Sequence, residues 1–165
     1  MATEIVLSIG TNSGNRIENI IAMQDALFSL LGEPFRCSTL METEPLEVGK
    51  GQLNYYNQIV YATYNGTPQE LLFACEGIEI TMGRSYKGLK LARTADIDIL
   101  FFGDTVVWTK GLQIPHQGIL RRRFCLEGLY EMCPQWVYPG RAETVEQLYL
   151  KMNSEVKQQS IQFYS

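Results

Sequence analysis

Two aspartates one residue apart, Asp96 and Asp98, head an apolar run in Arg93-Thr94-Ala95-Asp96-Ile97-Asp98-Ile99-Leu100-Phe101-Phe102. Aspartate is depleted in strands, so the pair asks for an explanation. In a strand rising about 3.3 Å per residue the two carboxylates share a face, roughly 6–7 Å apart. Ile97, Ile99 and Phe101 are then expected on the other face. Like charges this close repel unless cations or protons neutralise them. Hard oxygen donors suit Mg2+, which takes one or two carboxylates and fills its shell with water and phosphate oxygens. The alternative is a pair of strand-end aspartates in turn or ion-pair contacts with Arg93, and the pair alone leaves both open.

The surrounding charge favours the metal. Seven of the 14 basic residues lie in two short segments, Arg84, Lys87, Lys90 and Arg93 before the strand and Arg121, Arg122 and Arg123 after it. Guanidinium groups beside metal-holding carboxylates are what a polyphosphate site requires. No G-x-x-x-x-G-K-[ST] motif occurs, so a P-loop is excluded. His116, the single histidine, is either a structural residue or, placed between Pro115 and the arginine triplet, an imidazole that donates to a phosphate oxygen. The loop Thr43-Glu44-Pro45-Leu46 and the strand start Tyr55-Tyr56-Asn57 offer a second pocket. Aromatic rings stack on flat heterocycles, and an Asn amide both donates and accepts at a ring edge.

The frame that must hold these groups is one domain, residues 1–165. A net charge of −4 argues against nucleic acid as a partner. With 45% hydrophobic and 19% charged residues the chain falls in the globular range. Cys37, Cys75, Cys125 and Cys133 form no C-x-x-C pair and have one histidine to join them, which argues against a zinc site and a secreted disulfide scaffold. No apolar run reaches membrane-spanning length and no basic leader opens the chain. The expectation is a soluble, reduced, cytoplasmic protein without a membrane partner, and a monomer.

Glu4 to Ile9 reads as a strand ending at Gly10. Asn15, with Glu18 three residues on, predicts a helix cap, and Ile17, Ile20, Ile21, Leu27, Phe28 and Leu31 mark its face. Arg36 to Glu42 and Tyr55 to Tyr64 read as strands. Thr67-Pro68-Gln69-Glu70 opens a second helix with Leu71, Cys75, Ile78 and Met82 inward. Ile97 to Phe102 is a further strand, turning at Gly103-Asp104 into Thr105 to Trp108. The order β-α-β-β-α-β predicts an α+β, ferredoxin-like fold: an antiparallel sheet with helices on one face. The last third reads as a C-terminal appendage with helices over Arg123 to Met132 and near Thr144 to Met152.

On these motifs the chain resembles the 6-hydroxymethyl-7,8-dihydropterin pyrophosphokinases, from about Ile5 to Tyr138. The most specific stretch is Arg93 to Leu100, close to that family's R-T-x-D-[IL]-D-[IL]-[IL] signature. Ser8-Ile9-Gly10-Thr11-Asn12, Glu42-Thr43-Glu44-Pro45, Tyr55-Tyr56-Asn57, Gly83-Arg84, and Pro115-His116 with Arg122 and Phe124 support it. The resemblance implies pyrophosphate transfer from ATP to a pterin alcohol in folate biosynthesis, with ATP and the pterin as small-molecule partners. Asp96 and Asp98 would hold two Mg2+ ions. Arg84 and Arg93 would act on the phosphates as catalytic groups, with Glu79, His116 and Arg122 also on the ATP side. Thr43, Pro45, Leu46, Tyr55, Asn57 and Phe124 would form the pterin slot. Between Arg84 and Arg93 the chain lacks the tryptophan that family commonly carries. Two other readings remain: a non-catalytic pterin- or nucleotide-binding module, and another Mg-dependent nucleotidyl transferase.

Overall fold

The structure is a computed structural model and describes residues 2–45, 52–83 and 94–164. Its elements are β1 (Thr3–Thr11), α1 (Arg16–Leu31), β2 (Phe35–Cys37), β3 (Leu40–Thr43), β4 (Tyr55–Tyr64), α2 (Pro68–Thr81) and β5 (Asp96–Phe102). After these come β6 (Val107–Trp108), β7 (Gln113–Ile114), α3 (Arg123–Met132), α4 (Val145–Leu150), α5 (Ser154–Lys157) and β8 (Ile161–Tyr164).

The helix starts follow the local chemistry. The Asn15 side chain accepts from the Glu18 N–H, and Thr67 with Glu70 closes a full capping box under Pro68. Thr144 and Gln147 form another at α4. The main sheet runs β5-β1-β4-β3-β8, with β2 also on β4. Every pairing in it is antiparallel. Its β5-β1-β4-β3 part is the ferredoxin-like order expected from β-α-β-β-α-β.

The expected strand Arg36 to Glu42 is broken in two. Cys37 pairs with Val60 but Met41 pairs with Asn57, so one extra residue separates β2 from β3. The Ser38 hydroxyl fills the gap by accepting the Ile59 N–H, and the Ser38 carbonyl takes the Gln58 side-chain amide.

Helices cover both faces of the sheet, where one was expected. Ile5, Leu7 and Ile9 of β1 pack with Ile20, Met23 and Leu27 of α1 and Leu71 and Cys75 of α2. On the opposite face Val6, Met41, Ile59, Leu100 and Phe101 pack with Cys125, Leu126 and Leu129 of α3, Val145 and Leu148 of α4, and Val156 of α5. The C-terminal third therefore closes the second side of the core. Fully burying a side chain of this size contributes about 1.5–3 kcal/mol. In α1, Ile17, Ile21 and Phe28 remain about half exposed, so the buried stripe is narrower than the periodicity predicts. In α2 the buried face includes Glu79, while Ile78 and Met82 are partly covered.

Phe101 does not lie with Ile97 and Ile99. Leu7 pairs with Ile99 and Val6 with Phe101, so Leu100 is an extra, bulged residue. The bulge turns Phe101 to the α3 face, where it stacks on Trp136 with ring centres 5.2 Å apart. The expected strand Thr105 to Trp108 is reduced to Val107–Trp108, paired with β7.

Candidate active site

The α3 face of the sheet is apolar at one end and polar at the other. Along β1 it reads Val6, then Ser8, then Gly10. Ser8 pairs with Asp98 and Gly10 with Asp96, so both carboxylates sit on β5 facing the polar end. On the other side Gly10 pairs with Asn57. A Cβ at Gly10 would stand 2.7 Å from Asn57 Oδ1 and 3.6 Å from the Tyr55 ring, which places those side chains on the same face. The Asn57 amide donates to Thr43 Oγ1 at 2.7 Å. Thr43, Tyr55, Asn57, Gly10, Asp96 and Asp98 thus form one polar field across four neighbouring strands, β3, β4, β1 and β5.

His116 and Arg122 both approach Asp98. His116 Nε2 lies 3.7 Å from Asp98 Oδ1, and an Arg122 guanidinium nitrogen lies 4.0 Å from Asp98 Oδ2. The Gly118 N–H donates to His116 Nδ1 at 2.9 Å, which puts the proton of the neutral ring on Nε2, facing Asp98. The His116 backbone N–H donates to the carbonyl of the bulged Leu100 at 3.2 Å. Phe124 stands at the first turn of α3, partly buried against the same core. Beneath Arg122 and Asp98, burial pushes the Cys125 thiol up to about 12, against the pull of the arginine's charge. That thiol is a packing group and no nucleophile.

Glu79 sits elsewhere. It comes from α2, behind the sheet, is 2% exposed, and accepts the Ile97 N–H at 2.8 Å between the two aspartates. Pro45 is half-buried at the end of β3. Leu46, Arg84 and Arg93 lie outside the described residues, as do the basic segment's lysines.

Among the described residues no group of three or more His, Cys, Asp or Glu side chains could hold a metal ion. Asp96 and Asp98 offer two hard carboxylates. That suits Mg2+ shared with phosphate oxygens, and it does not suit zinc.

Sequence reasoning missed several residues. Gly10 does more than end a strand: lying between Asn57 and Asp96, it leaves the room that the Asn57 amide occupies. Asn12, 1% exposed, donates to Gln52 Oε1 and to the Leu53 carbonyl. Arg16 donates to the Asn54 carbonyl and lies 4.2 Å over the Tyr56 ring. Both hold the stem that leads into Tyr55. The Ser-Ile-Gly-Thr-Asn run was the available signal for Gly10 and Asn12. Arg16 had none beyond its place in the first helical turn.

The family model described as 7,8-dihydro-6-hydroxymethylpterin-pyrophosphokinase matches residues 6–134. The chain is 34% identical over 139 residues to the 2-amino-4-hydroxy-6-hydroxymethyldihydropteridine pyrophosphokinase of Aquifex aeolicus, covering 84% of this chain and 85% of that one. It is 34% identical over 160 residues to the folic acid synthesis protein fol1 of Schizosaccharomyces pombe, covering 96% of this chain and 21% of that protein. The chain therefore spans about a fifth of the fungal relative's length. A crystal structure of Plasmodium falciparum HPPK-DHPS wild type with pteroate superposes with a TM-score of 0.73 at 19% identity, covering 96% of this chain and 45% of that one. At that identity the likeness speaks for the fold.

Proposed function

The chain belongs to the 7,8-dihydro-6-hydroxymethylpterin-pyrophosphokinase family, and from that premise we propose that it moves pyrophosphate from ATP to the hydroxymethyl group of 6-hydroxymethyl-7,8-dihydropterin, in folate biosynthesis. The observation that carries this reading is the polar field itself. Gly10, bare of a side chain, makes room for the Asn57 amide and has Asn57 on one side and Asp96 on the other, with Thr43 beyond Asn57 and Asp98 beside Asp96 on the same face. A heterocycle read by Asn57 then has its alcohol directed toward the phosphates.

In this reading the hydroxymethyl oxygen attacks the β-phosphorus. The bond from that phosphorus to the bridging α,β-oxygen breaks, AMP leaves with the oxygen, and the hydroxyl proton passes to solvent. Asp96 and Asp98 would hold two Mg2+ ions. Bound magnesium supplies charge neutralisation on the polyphosphate. His116 donates from Nε2, and Arg122 adds a fixed cation beside it. Arg84 and Arg93 are assigned to the phosphates. Glu79 supports the ATP side from behind, through the backbone that carries the aspartates. Tyr55, Pro45, Leu46 and Phe124 enclose the pterin, with Thr43 orienting Asn57. Catalysis is then positioning and charge neutralisation.

The same reading takes residues 1–165 as one catalytic unit, a cytoplasmic monomer acting on two small molecules. No helix among the described residues is long and apolar enough to cross a membrane. The decisive assay resolves AMP, ADP and pyrophosphate after incubation with ATP, magnesium and the pterin alcohol. AMP that appears only with the pterin and magnesium supports the proposal. Pyrophosphate release points to a nucleotidyl transferase, and pterin binding without turnover at any magnesium concentration points to a binding module.

A further inference from the structure

We propose that Gln159, on the segment between α5 and β8, is a positioning residue for Arg122. Its planar amide spans both backbone neighbours of that arginine. Gln159 Oε1 accepts the Arg123 N–H at 2.9 Å, and Gln159 Nε2 donates to the Arg121 carbonyl at 2.7 Å. Arg122 between them is extended, with φ −121° and ψ 114°, and precedes the first turn of α3.

That place in the chain needs an outside partner. The first N–H groups of a helix have no acceptor within it and usually take one from the side chain before them. Arg122 makes no side-chain cap bond. Gln159 supplies the missing acceptor from 36 residues away, and by donating to Arg121 it also fixes the approach to the helix. The clasp is reciprocal. The Arg123 guanidinium reaches back to the carbonyls of Lys157 at 2.9 Å and Gln159 at 3.3 Å, with its Nε on Glu127 at 3.0 Å. Val156, 4% exposed, anchors the segment in the core.

The three consecutive arginines therefore divide their work. Arg123 ties the C-terminal segment down, and Arg121 and Arg123 offer their backbone to Gln159. Arg122, held between, presents its guanidinium 4.0 Å from Asp98. Without the amide, Arg122 has to be ordered when the phosphates arrive, and the cost of ordering falls on nucleotide binding.

This inference rests on the reading of Arg122 as a phosphate ligand, and its test is nucleotide binding, separate from turnover. Calorimetric titration with ATP and magnesium compares the wild type, Gln159→Leu, Gln159→Glu, Arg122→Ala and the Arg122→Ala/Gln159→Leu double variant, after thermal melts confirm folding. Leucine removes both polar atoms at similar size, while glutamate keeps the accepting half. Gln159→Leu is expected to weaken ATP binding about fivefold, from the usual worth of a helix cap, with Gln159→Glu between it and the wild type. In the Arg122→Ala background the same change is expected to have no effect, because its route is gone. Wild-type affinity in Gln159→Leu overturns the inference, as does an equal loss in both backgrounds. A wild-type chain that binds ATP but forms no AMP sinks the proposed reaction and leaves the Gln159 comparison standing. A wild-type chain that does not bind ATP removes both.

Discussion

Gly10 faces Asn57 across the β1–β4 ladder so closely that a single added carbon would stand 2.7 Å from the Asn57 side-chain oxygen. The glycine is needed for what lies above it, since its neighbours in the strand are ordinary extended residues. Gly10→Ala is therefore expected to turn the Asn57 amide off Thr43. Losing one well-made neutral hydrogen bond is worth about 0.5–1.5 kcal/mol. The Michaelis constant for the pterin alcohol should rise about three- to tenfold, with a smaller change for ATP. Steady-state kinetics with each substrate varied would check the split.

Asp96 and Asp98 should tolerate neutral replacement structurally but not catalytically. Asparagine matches their shape and keeps an acceptor while removing the charge. Asp96→Asn and Asp98→Asn are each expected to lower turnover by about 10²–10³, the scale of losing a preorganised electrostatic group. Melting temperatures should stay near the wild type. Near-normal rates in both variants would reject the metal assignment.

Gly128 brings α3 close against the sheet. A Cβ there would fall 2.1 Å from Ile59 Cγ1 and 3.3 Å from the Met41 methyl. Alanine gains about 1 kcal/mol over glycine in helix propensity, but overpacking costs about 1–3 kcal/mol and occasionally more. At 2.1 Å the clash should win. Gly128→Ala is expected to be destabilised by about 2 kcal/mol in urea denaturation. Because Phe124 lies on that helix and Arg122 immediately precedes it, weaker binding of both substrates should accompany it.

Glu42 links the C-terminal strand to the entrance of the site. The hydrogen bond from Tyr164 at 2.6 Å, helped by Asn54 and Arg16, holds its carboxyl below the ordinary 4.5, against the opposing effect of burial. A depressed carboxylate contributes stability above its unfolded pKa, and that contribution is lost as pH falls through the folded value. Tyr164→Phe should therefore melt below the wild type at neutral pH. The gap should close as pH drops below 4.5. A gap that is constant across the acid range would contradict the assignment.

Much of the fold was legible because local chemistry and periodicity agreed. Thr67-Pro68-Gln69-Glu70 could hardly be anything but a helix start, and the β-rich run Glu4 to Ile9 with its stop at Gly10 marked β1. The paired aspartates were legible because charge at the head of an apolar strand is rare. What escaped was set by contacts distant in sequence. The bulge at Leu100 depends on the register against Val6 and Leu7, so period-two counting sent Phe101 to the wrong face. The C-terminal third looked peripheral because its apolar residues are spread over three short helices that make one layer only when stacked on Val6 and Ile59. Gly118 and Gln159 carry no signal at all until the chain has folded. Each matters through an atom it places against a residue whose role was already suspected.

The extra residue in β5 does more than redirect one ring. Its carbonyl is the hook on which the backbone of His116 hangs, at 3.2 Å. A perfectly regular strand there would carry the same aspartates but leave the imidazole without its berth. An irregularity that looks like a flaw in the ladder thus sets the distance between acid and histidine, and smoothing it away would disarm the strand it appears to repair.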